Sequence, residues 1–523
     1  MHRVGELVLA LTALSAGCGG APSAPEPPRG EALAPRESPR AEIDPSSGAT
    51  WTRALSTWLP VRPEDADAVE WIYVEGRNTG SAQLRGRLVL VSLRSGRGRE
   101  RLAQVDGPVT VAVDADALGD PDVVRELRAL AERAPLGLAT DRDCDTRDVA
   151  WPGVRMLDAE HLHDAPSLAP LRSLHTLHLR DGGALAGLPA LPALRRVVAS
   201  GPITDARALA SLPALRELRL SELDDGALEA IGALDGLEVL HALGPSITDR
   251  GVAALGALRA LRELRLGGTI GDPGLAVIAG LERLERLSLH RPAVTDEGLA
   301  ALGALRRLRA LELAGASVSD EGVAHLEGLE ALRELDLSRS RVRGRGLGRL
   351  GGGHGLTHLS MSLTPLDDAG LATLAGAPLE QLDVSETRVT ATGLTALDLT
   401  RLVALDAHSI SLDSEGLAAI VARTPALREL DVGGTRIREL DALAGLDSLR
   451  ALDLTHTAVD DASIGALSQL PALRELVVAF TAVGDPGLST MARFPALRRA
   501  NTTGSRASDA ARSELRRALD ARR

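Results

Sequence analysis

The residues of this 523-residue chain best suited to bind a ligand are carboxylates that return at a regular interval, each between two aliphatic residues. They are Glu312, Asp336, Asp383, Asp406, Asp431 and Asp453, here called the acidic strip. Unit charges about 5 Å apart repel by roughly 1 kcal/mol in water, and by more in a less polar environment. We therefore predict that the strip binds a cationic partner, either a basic protein or peptide or metal ions. The opposing interpretation is a solvated surface, or a row neutralised within the molecule by Arg333, Arg428 and Arg450.

The chain lacks residues that several large enzyme classes require. It contains arginine but no lysine, which excludes a P-loop lysine, a kinase lysine and a Schiff-base lysine. Gly346–Gly351 matches the letters of a dinucleotide fingerprint, but no predicted strand precedes it to direct a helix at a pyrophosphate. The motifs of serine hydrolases, zinc proteases and dithiol enzymes are also missing. We predict that the chain has no enzymatic activity and no cofactor.

Four histidines near the start of the repeats form the best alternative site for a metal ion. They are His161, His163, His175 and His178, with Asp158 and Glu160 beside them. Histidine and carboxylate are common ligands, yet these two pairs are expected on different sides of a strand, and their spacing matches no standard motif. We therefore interpret them as surface histidines and predict no metal site.

Each strip residue belongs to a phrase, Leu-x-x-Leu-x-Leu, that returns about every 20–25 residues, as solenoid repeats do. In the copy Leu308–Leu313 the last leucines alternate with other residues, which predicts a short strand. Apolar residues then recur at three- and four-residue intervals, which predicts a helix with Ser319 or Asp320 as its N-cap. The inward leucines would build the core, and the residue between them would face outward.

This repeat resembles the helix-bearing leucine-rich-repeat family, and it is similar to ribonuclease-inhibitor-like and F-box-associated arrays. The segment Thr387–Leu394, which reads Thr-Arg-Val-Thr-Ala-Thr-Gly-Leu, shows the bacterial style of that family. The resemblance implies an α/β fold: over residues 151–505, a curved solenoid with a parallel sheet on the concave face and helices on the convex face. Packing favours the same curvature, because strands lie about 4.8 Å apart and helices roughly 8–10 Å apart.

Two features of the repeat call for a structural reason. Threonine or serine, as at Thr364 and Ser340, stands where many members of the family carry an asparagine that bonds the backbone. Glycine also returns inside the first helical turn, as at Gly298, Gly322 and Gly393. Because glycine weakens a helix, we interpret it as room for the adjacent loop.

The first residues have the pattern of an export signal. Within residues 1–18, an apolar run from Leu7 to Ala16 is too short to span a bilayer as a helix. It leads to Cys18 through small residues, which resembles a bacterial lipoprotein signal and implies cleavage before Cys18 and lipidation of that residue. Residues 19–50, rich in Pro, Ala, Ser and Gly, are predicted to form a disordered tether.

The segment at residues 51–150 differs in composition from the repeats, because it holds most of the few aromatic residues. We predict strands over Val69–Val74, Leu88–Leu93, Val109–Val113 and Leu136–Leu138, and a helix from Asp120 to about Ala134. We interpret this segment as a cap over the first layer of the solenoid, and residues 506–523 as the helix that closes the last layer. The alternative is a receptor or enzyme domain at 51–150, with the repeats selecting substrate.

The sequence therefore predicts a non-enzymatic interaction scaffold of the bacterial cell envelope. Its partner would be a protein or peptide, and the net charge of −12 argues against nucleic acid. It would contact the membrane, on the outer-membrane or periplasmic side, through a lipid on Cys18, or would otherwise be secreted. We expect a monomer, although a surface protein that assembles laterally is a third possibility.

Overall fold

The structure is a computed structural model, and it describes residues 70–73, 88–90, 109–113, 118–133, 135–140, 146–159, 162, 165–203, 205–351 and 355–522. All of these belong to one compact unit, Ser46–Arg523. Cys18, the signal-like segment and the predicted tether lie outside the described residues.

One parallel sheet of twenty strands runs through the described chain. Its first strands are β1 Glu70–Tyr73, β2 Leu88–Leu90, β3 Val109–Val113, β4 Leu136–Thr140, β5 Val154–Ala159, β6 Thr176–Leu179, β7 Arg196–Ala199, β8 Glu217–Ser221, β9 Val239–Leu243 and β10 Glu263–Gly267. The remaining strands are β11 Arg286–His290, β12 Ala310–Glu312, β13 Glu334–Asp336, β14 His358–Ser360, β15 Gln381–Asp383, β16 Ala404–Asp406, β17 Glu429–Asp431, β18 Ala451–Asp453, β19 Glu475–Val477 and β20 Arg499–Asn501. From β3 onward each strand pairs with the next, whereas β1 lies between β2 and β3.

Helices return the chain between most strands. The α-helices are α1 Pro121–Arg133, α2 Asp225–Ile231, α3 Asp249–Ala254, α4 Asp272–Ile278, α5 Asp296–Leu302, α6 Asp320–Ala324, α7 Gly348–Gly351, α8 Asp368–Leu371, α9 Ala391–Thr395, α10 Ser414–Val421, α11 Asp461–Ile464, α12 Asp485–Met491 and α13 Asp509–Asp520. Short 3-10 turns take this place in several repeats, as at Gly182–Gly187 and Asp441–Gly445. The strands and helix predicted before the repeats are therefore present, and the predicted ends of the first two strands, at 69, 74 and 91–93, lie outside the described residues.

The core is a continuous stack of aliphatic side chains. In the repeat that contains β12, Leu308, Leu311 and Leu313 are fully buried, while Glu312 between them is half-buried. Phe494 is one of the few aromatic residues in this core. Closely spaced strands beside wider helical segments bend such a stack toward its strands. The predicted curved α/β solenoid is therefore confirmed.

The glycine in the first helical turn makes room for an aspartate of the preceding repeat. Asp296 accepts hydrogen bonds from the Ser319 N–H at 2.7 Å and the Ser319 hydroxyl at 2.6 Å. A Cβ added to Gly322 would lie 2.3 Å from the Asp296 carboxylate, which is closer than atoms can approach. The same arrangement joins Asp225 to Thr248 and Gly251, Asp272 to Thr295 and Gly298, and Asp368 to Thr390 and Gly393.

The threonines that stand at the asparagine position form hydrogen bonds within their own repeat. The hydroxyl groups of Thr364, Thr435, Thr457 and Thr481 each donate to the carbonyl three residues earlier, at 2.6–2.7 Å. These bonds close the turn after the strand. The contact from one repeat to the next is made instead by the aspartates of the first helical turn.

The last helix lies on the end of the stack. The Ser508 side chain caps α13 by accepting from the Ala511 N–H at 3.2 Å. Leu515 and Leu519 of α13 are buried. The role of residues 506–523 as a closing cap stays a prediction.

Candidate functional site

The outward residues of neighbouring strands lie opposite one another. Asp383 pairs in register with Asp406, Asp406 with Asp431, and Asp431 with Asp453. Neighbouring strands are about 4.8 Å apart, so these carboxylates form a column across the concave face. Glu312 and Asp336 extend this column on β12 and β13, and Ser360 on β14 separates them from Asp383.

Each aspartate of the strip also holds the turn that follows it. The carboxylate accepts the N–H of the residue two positions later, an Asx turn. The donors are Ser338 for Asp336 (2.9 Å), Ser385 for Asp383 (3.0 Å), His408 for Asp406 (3.0 Å), Gly433 for Asp431 (2.8 Å) and Thr455 for Asp453 (2.7 Å). Asn501 makes the same bond to the Thr503 N–H through its amide oxygen, at 3.1 Å. The turn therefore needs an acceptor, and a negative charge is not required for it.

Burial and mutual repulsion disfavour full ionisation of the strip. Burial, with the neighbouring carboxylates of Asp383 and Asp431, raises the pKa of Asp406 to about 8. Burial also raises the pKa of Asp336, and burial together with the Asp431 carboxylate raises that of Asp453. A cation placed on the strip would favour the charged forms and release protons.

His408 is the cationic side chain nearest to the strip. Its Nδ1 lies 3.6 Å from an Asp431 oxygen, the separation of an ion pair without a hydrogen bond. This contact, with the carboxylates of Asp406 and Asp453, raises the pKa of His408. One imidazolium faces four stacked aspartates, so the column keeps an excess of negative charge.

The arginines that could have neutralised the strip are engaged elsewhere or unpaired. Arg333 donates to the carbonyls of Glu330 and Leu332. Within the described ranges, neither Arg428 nor Arg450 forms a side-chain hydrogen bond or ion pair with the strip. Among the described residues, these three arginines therefore form no direct ion pair with the strip.

The first half of the concave face, from β7 to β11, pairs its charges. Glu217, which is 7% exposed, accepts from Arg196 at 2.7 Å and from Arg219 at 2.8 Å. His241 lies 2.6 Å from Glu263, and this hydrogen bond lowers the pKa of Glu263 to about 2. The outward residues of this half include Arg219 and Arg265, which alone would make it basic. Glu217 and Glu263 lie two positions before them on the same strands, and their carboxylates offset that positive charge.

Another ion pair joins two strands across a third strand that lies between them. Both Nη atoms of Arg286 on β11 donate to the carboxylate of Glu334 on β13, at 2.9 and 3.1 Å. The small side chain of Ala310 occupies the intervening strand at the same register. The carboxylate of Glu334 is therefore paired with an arginine of the first half of the face.

Serine hydroxyls separate Asp336 from Asp383. Ser338 and Ser360 share a hydrogen bond at 2.8 Å, and Ser360 donates to Asp383 at 2.8 Å. Ser385 donates to the other oxygen of Asp383 at 2.6 Å. Sequence reasoning missed Ser338, Ser385 and the paired glutamates. Their signal was a polar residue two positions from the outward residue of the same strand, on the same face.

The proposed histidine site is only partly described. Asp158 and His178 face each other at 3.7 Å and are both buried. The interpretation of His178 as a surface histidine was therefore wrong, because its strand position directs it against Asp158 of the neighbouring strand. Glu160, His161 and His163 lie outside the described residues. His175 has a pKa lowered by burial and by nearby arginines. Among the residues whose positions are known, no group of three ligating side chains could hold a metal ion. The expectation that the two histidine pairs would not converge therefore stays a prediction.

The described helices are too short or too polar to cross a bilayer.

Comparison with known proteins gives similarity of fold only. No family model and no curated protein matches the chain. Among solved structures, an internalin from Listeria monocytogenes is 20% identical over 60% of this chain and 82% of its own, with a TM-score of 0.42. A leucine-rich-repeat protein from Leptospira interrogans is 17% identical over 70% and 94%, with a TM-score of 0.43. The Arabidopsis receptor kinase HAESA, solved with a peptide hormone and a co-receptor, is 14% identical over 76% and 69%, with a TM-score of 0.40. The solenoid fold of this chain rests on its own repeated strands and helices.

Proposed function

We propose that this chain is a non-enzymatic interaction scaffold of the bacterial cell envelope. Its concave face binds a cationic protein or peptide along Glu312, Asp336, Asp383, Asp406, Asp431 and Asp453. A lipid on Cys18 holds it to a membrane, and the repeats extend from that anchor as a monomer. Nucleic acid is not the partner, because its phosphates would meet a negative surface.

One observation carries the proposal: four aspartates on successive strands are stacked without matching positive charge. The Asx turns do not explain the charge, because Asn501 closes the same turn with an amide. Burial makes each charge costly to hold, as the raised pKa of Asp406 reflects. A cationic side chain laid along the column would relieve this repulsion.

The test replaces charge and keeps the turns. A chain carrying Asp383→Asn, Asp406→Asn and Asp431→Asn retains an oxygen acceptor at each turn. Captured proteins from envelope extracts would be compared between this variant and the unaltered chain, at low and high salt. We expect the variant to lose the basic partner, and we expect salt to weaken capture by the unaltered chain.

A matched control removes three charges from other exposed positions. Asp235→Asn, Glu282→Gln and Asp447→Asn change the net charge equally and lie away from the outward strand positions. This control should retain the partner. Equal loss of partner binding in both variants would show that only the net charge matters. If both variants retained the partner, the strip would not be part of the binding interface.

The lipid anchor is tested separately. Cys18→Ser should move the chain from the membrane fraction to the soluble fraction of cells and abolish labelling by a fatty-acid analogue. Unchanged labelling would refute lipidation at this residue without affecting the proposal for the strip.

A further inference from the structure

The last strand has backbone groups that lack the partners found in the preceding repeats. On β19, the Arg474 carbonyl accepts from β20 at 2.8 and 2.9 Å. The N–H groups of Val478 and Phe480 donate forward to the turn and strand of the next repeat at 2.9 and 2.8 Å. The equivalent four bonds join the repeat of β18 to that of β19, through the Arg450 carbonyl and the N–H groups of Leu454 and His456. Three backbone groups per repeat thus continue the ladder.

The equivalent groups after β19 are the Arg498 carbonyl, the Thr502 N–H and the Gly504 N–H. In the part of the chain that the structure describes, no hydrogen bond uses any of them. Gly504 has the same left-handed backbone as Phe480, with φ of 67° against 55°, so its N–H occupies the equivalent place in the turn. The edge of the sheet is therefore preformed for one more parallel strand.

A groove lies along this edge. It has a volume of about 690 Å³ and is bounded by β20, the turn at 502–504 and helix α13. Exposed sheet edges are sites where extended peptides add as strands. The volume falls within the range of small-ligand and peptide pockets, roughly 300–1,000 Å³. Leu515 and Leu519 of α13 form its apolar floor.

The charged lining of the groove is mostly positive. Its side chains include Arg498, Arg499, Arg512 and Arg516, with Asp520 as the single carboxylate. Arg499 pairs with Glu475 at 2.8 Å and Arg512 with Asp509 at 3.2 Å. Arg516 is exposed and makes no side-chain bond with another described residue. Positive charge beside an open backbone edge favours an acidic occupant.

We infer that this terminal groove binds an extended acidic peptide, which adds to β20 as a parallel strand. Its backbone N–H groups meet the Arg498 carbonyl, and its carbonyls meet the N–H groups of Thr502 and Gly504. Its acidic side chains face the arginines. A second copy of the chain is disfavoured as occupant, because two β20 edges would bring arginine against arginine.

The test uses the full chain and a labelled peptide of alternating valine and glutamate, with binding followed by fluorescence anisotropy. The matched probe alternates valine and glutamine, which keeps shape and removes charge. We expect the glutamate peptide to bind at least tenfold tighter, on the order of one strong charged contact, and to weaken as salt is added. Equal binding of the two peptides would overturn the acidic specificity.

Two pairs of variants locate the site. Thr502→Pro removes one N–H donor, and Thr502→Ala keeps it; only the first should weaken binding, by about three- to tenfold. Arg516→Glu should weaken binding by roughly tenfold, whereas Arg517→Glu, one residue away on α13 and outside the groove, should have a small effect. Equal effects within either pair would place the peptide elsewhere.

Thermal unfolding of each variant shows whether α13 remains docked. If Thr502→Pro loosens the end of the stack, the comparison of Arg516→Glu with Arg517→Glu still shows whether the peptide binds in the groove. The variant with three strip aspartates replaced should bind the acidic peptide as the unaltered chain does. Failure of the strip proposal and failure of the groove proposal are thus separate results.

Discussion

The two halves of the concave face are built from equivalent strands of successive repeats but differ in how their charged residues are arranged. From β7 to β11, glutamates lie beside arginine or histidine, as in the Arg196–Glu217–Arg219 cluster. From β15 to β18, aspartates lie beside aspartates, and His408 is the one cationic side chain within 4 Å of them among the residues that the structure describes. This difference indicates that ion pairs in the first half stabilise the solenoid, whereas repulsion between the aspartates of the second half destabilises it. A surface kept at such a cost is the better candidate for binding.

The largest expected effect comes from breaking the paired half. Glu217→Ala leaves two partly buried guanidinium groups without their carboxylate and should lower the free energy of unfolding by about 2–4 kcal/mol. Urea unfolding followed by circular dichroism measures the loss. Glu217→Gln, which keeps an acceptor, should lose less. If both variants match the unaltered chain, the pairing is not what stabilises this half.

The pH dependence should have opposite signs in the two halves. Glu263 has a pKa lowered from 4.5 to about 2, so its contribution is present above pH 4.5 and lost as the pH falls toward 2. Asp406 has a pKa raised from 3.8 to about 8, so stability is lost as the pH rises between these values. The raised pKa of His408 acts in the same direction as that of Asp406.

Hydrogen exchange, corrected for the intrinsic effect of pH, can measure the two halves separately. Protection of β10 and β11 should fall as the pH drops below 4.5, and protection of β15 to β17 should fall as the pH rises from about 4 toward 8, each by roughly tenfold. Parallel changes in both halves would mean that the whole stack responds as one unit and would break the comparison.

A smaller effect is expected when one strip charge is removed. Asp406→Asn keeps the acceptor for the His408 N–H and removes repulsion from Asp383 and Asp431. It should raise the free energy of unfolding by about 1 kcal/mol near pH 8, and leave it nearly unchanged near pH 3, where the carboxyl is protonated in both the folded and the unfolded chain. Denaturant midpoints at the two pH values decide this. Destabilisation at both would show that the carboxylate is needed by the fold.

The smallest effect concerns the serines at the border of the two halves. Ser360→Ala removes the hydroxyl that donates to Asp383 and should cost about 0.5–1 kcal/mol. Ser317→Ala is the matched control, because that exposed serine makes no side-chain hydrogen bond with another described residue. A difference between the two midpoints supports the serine link, and identical midpoints would remove it.

The repeat period was enough to predict the fold. Leucines such as Leu308, Leu311 and Leu313 repeat the strand pattern so often that the core and the outward position of Glu312 follow directly. The stacking of Asp383 on Asp406 also follows, because every repeat has the same register. Local pattern succeeds here since each layer contacts mainly its neighbours.

The candidate site was less predictable, because its energetics depend on pairs of residues from different repeats. The link from Asp296 to Ser319 and Gly322 joins residues more than twenty positions apart. Whether Glu334 faces Arg286 or Asp336 depends on side-chain direction across three strands, which a one-dimensional pattern does not contain. The turn bond from Asp406 to His408 is local and could have been found from the residue two positions on.

The link between Asp296 and Gly322 sets a rule for which units can be neighbours. Between repeats, a unit whose helix begins with this acid is followed by one whose helix has glycine at this site, because a side chain there would collide with the acid. The last helix is an exception, since Asp485 binds Ser508 in the same way and Ala511 takes the place of the glycine. Gly416, which faces Ala391 and not an acid, marks a junction where that rule is relaxed. Deletions, duplications or engineered splices that keep each acid with its own glycine should be tolerated, whereas the same number of residues exchanged out of phase should not.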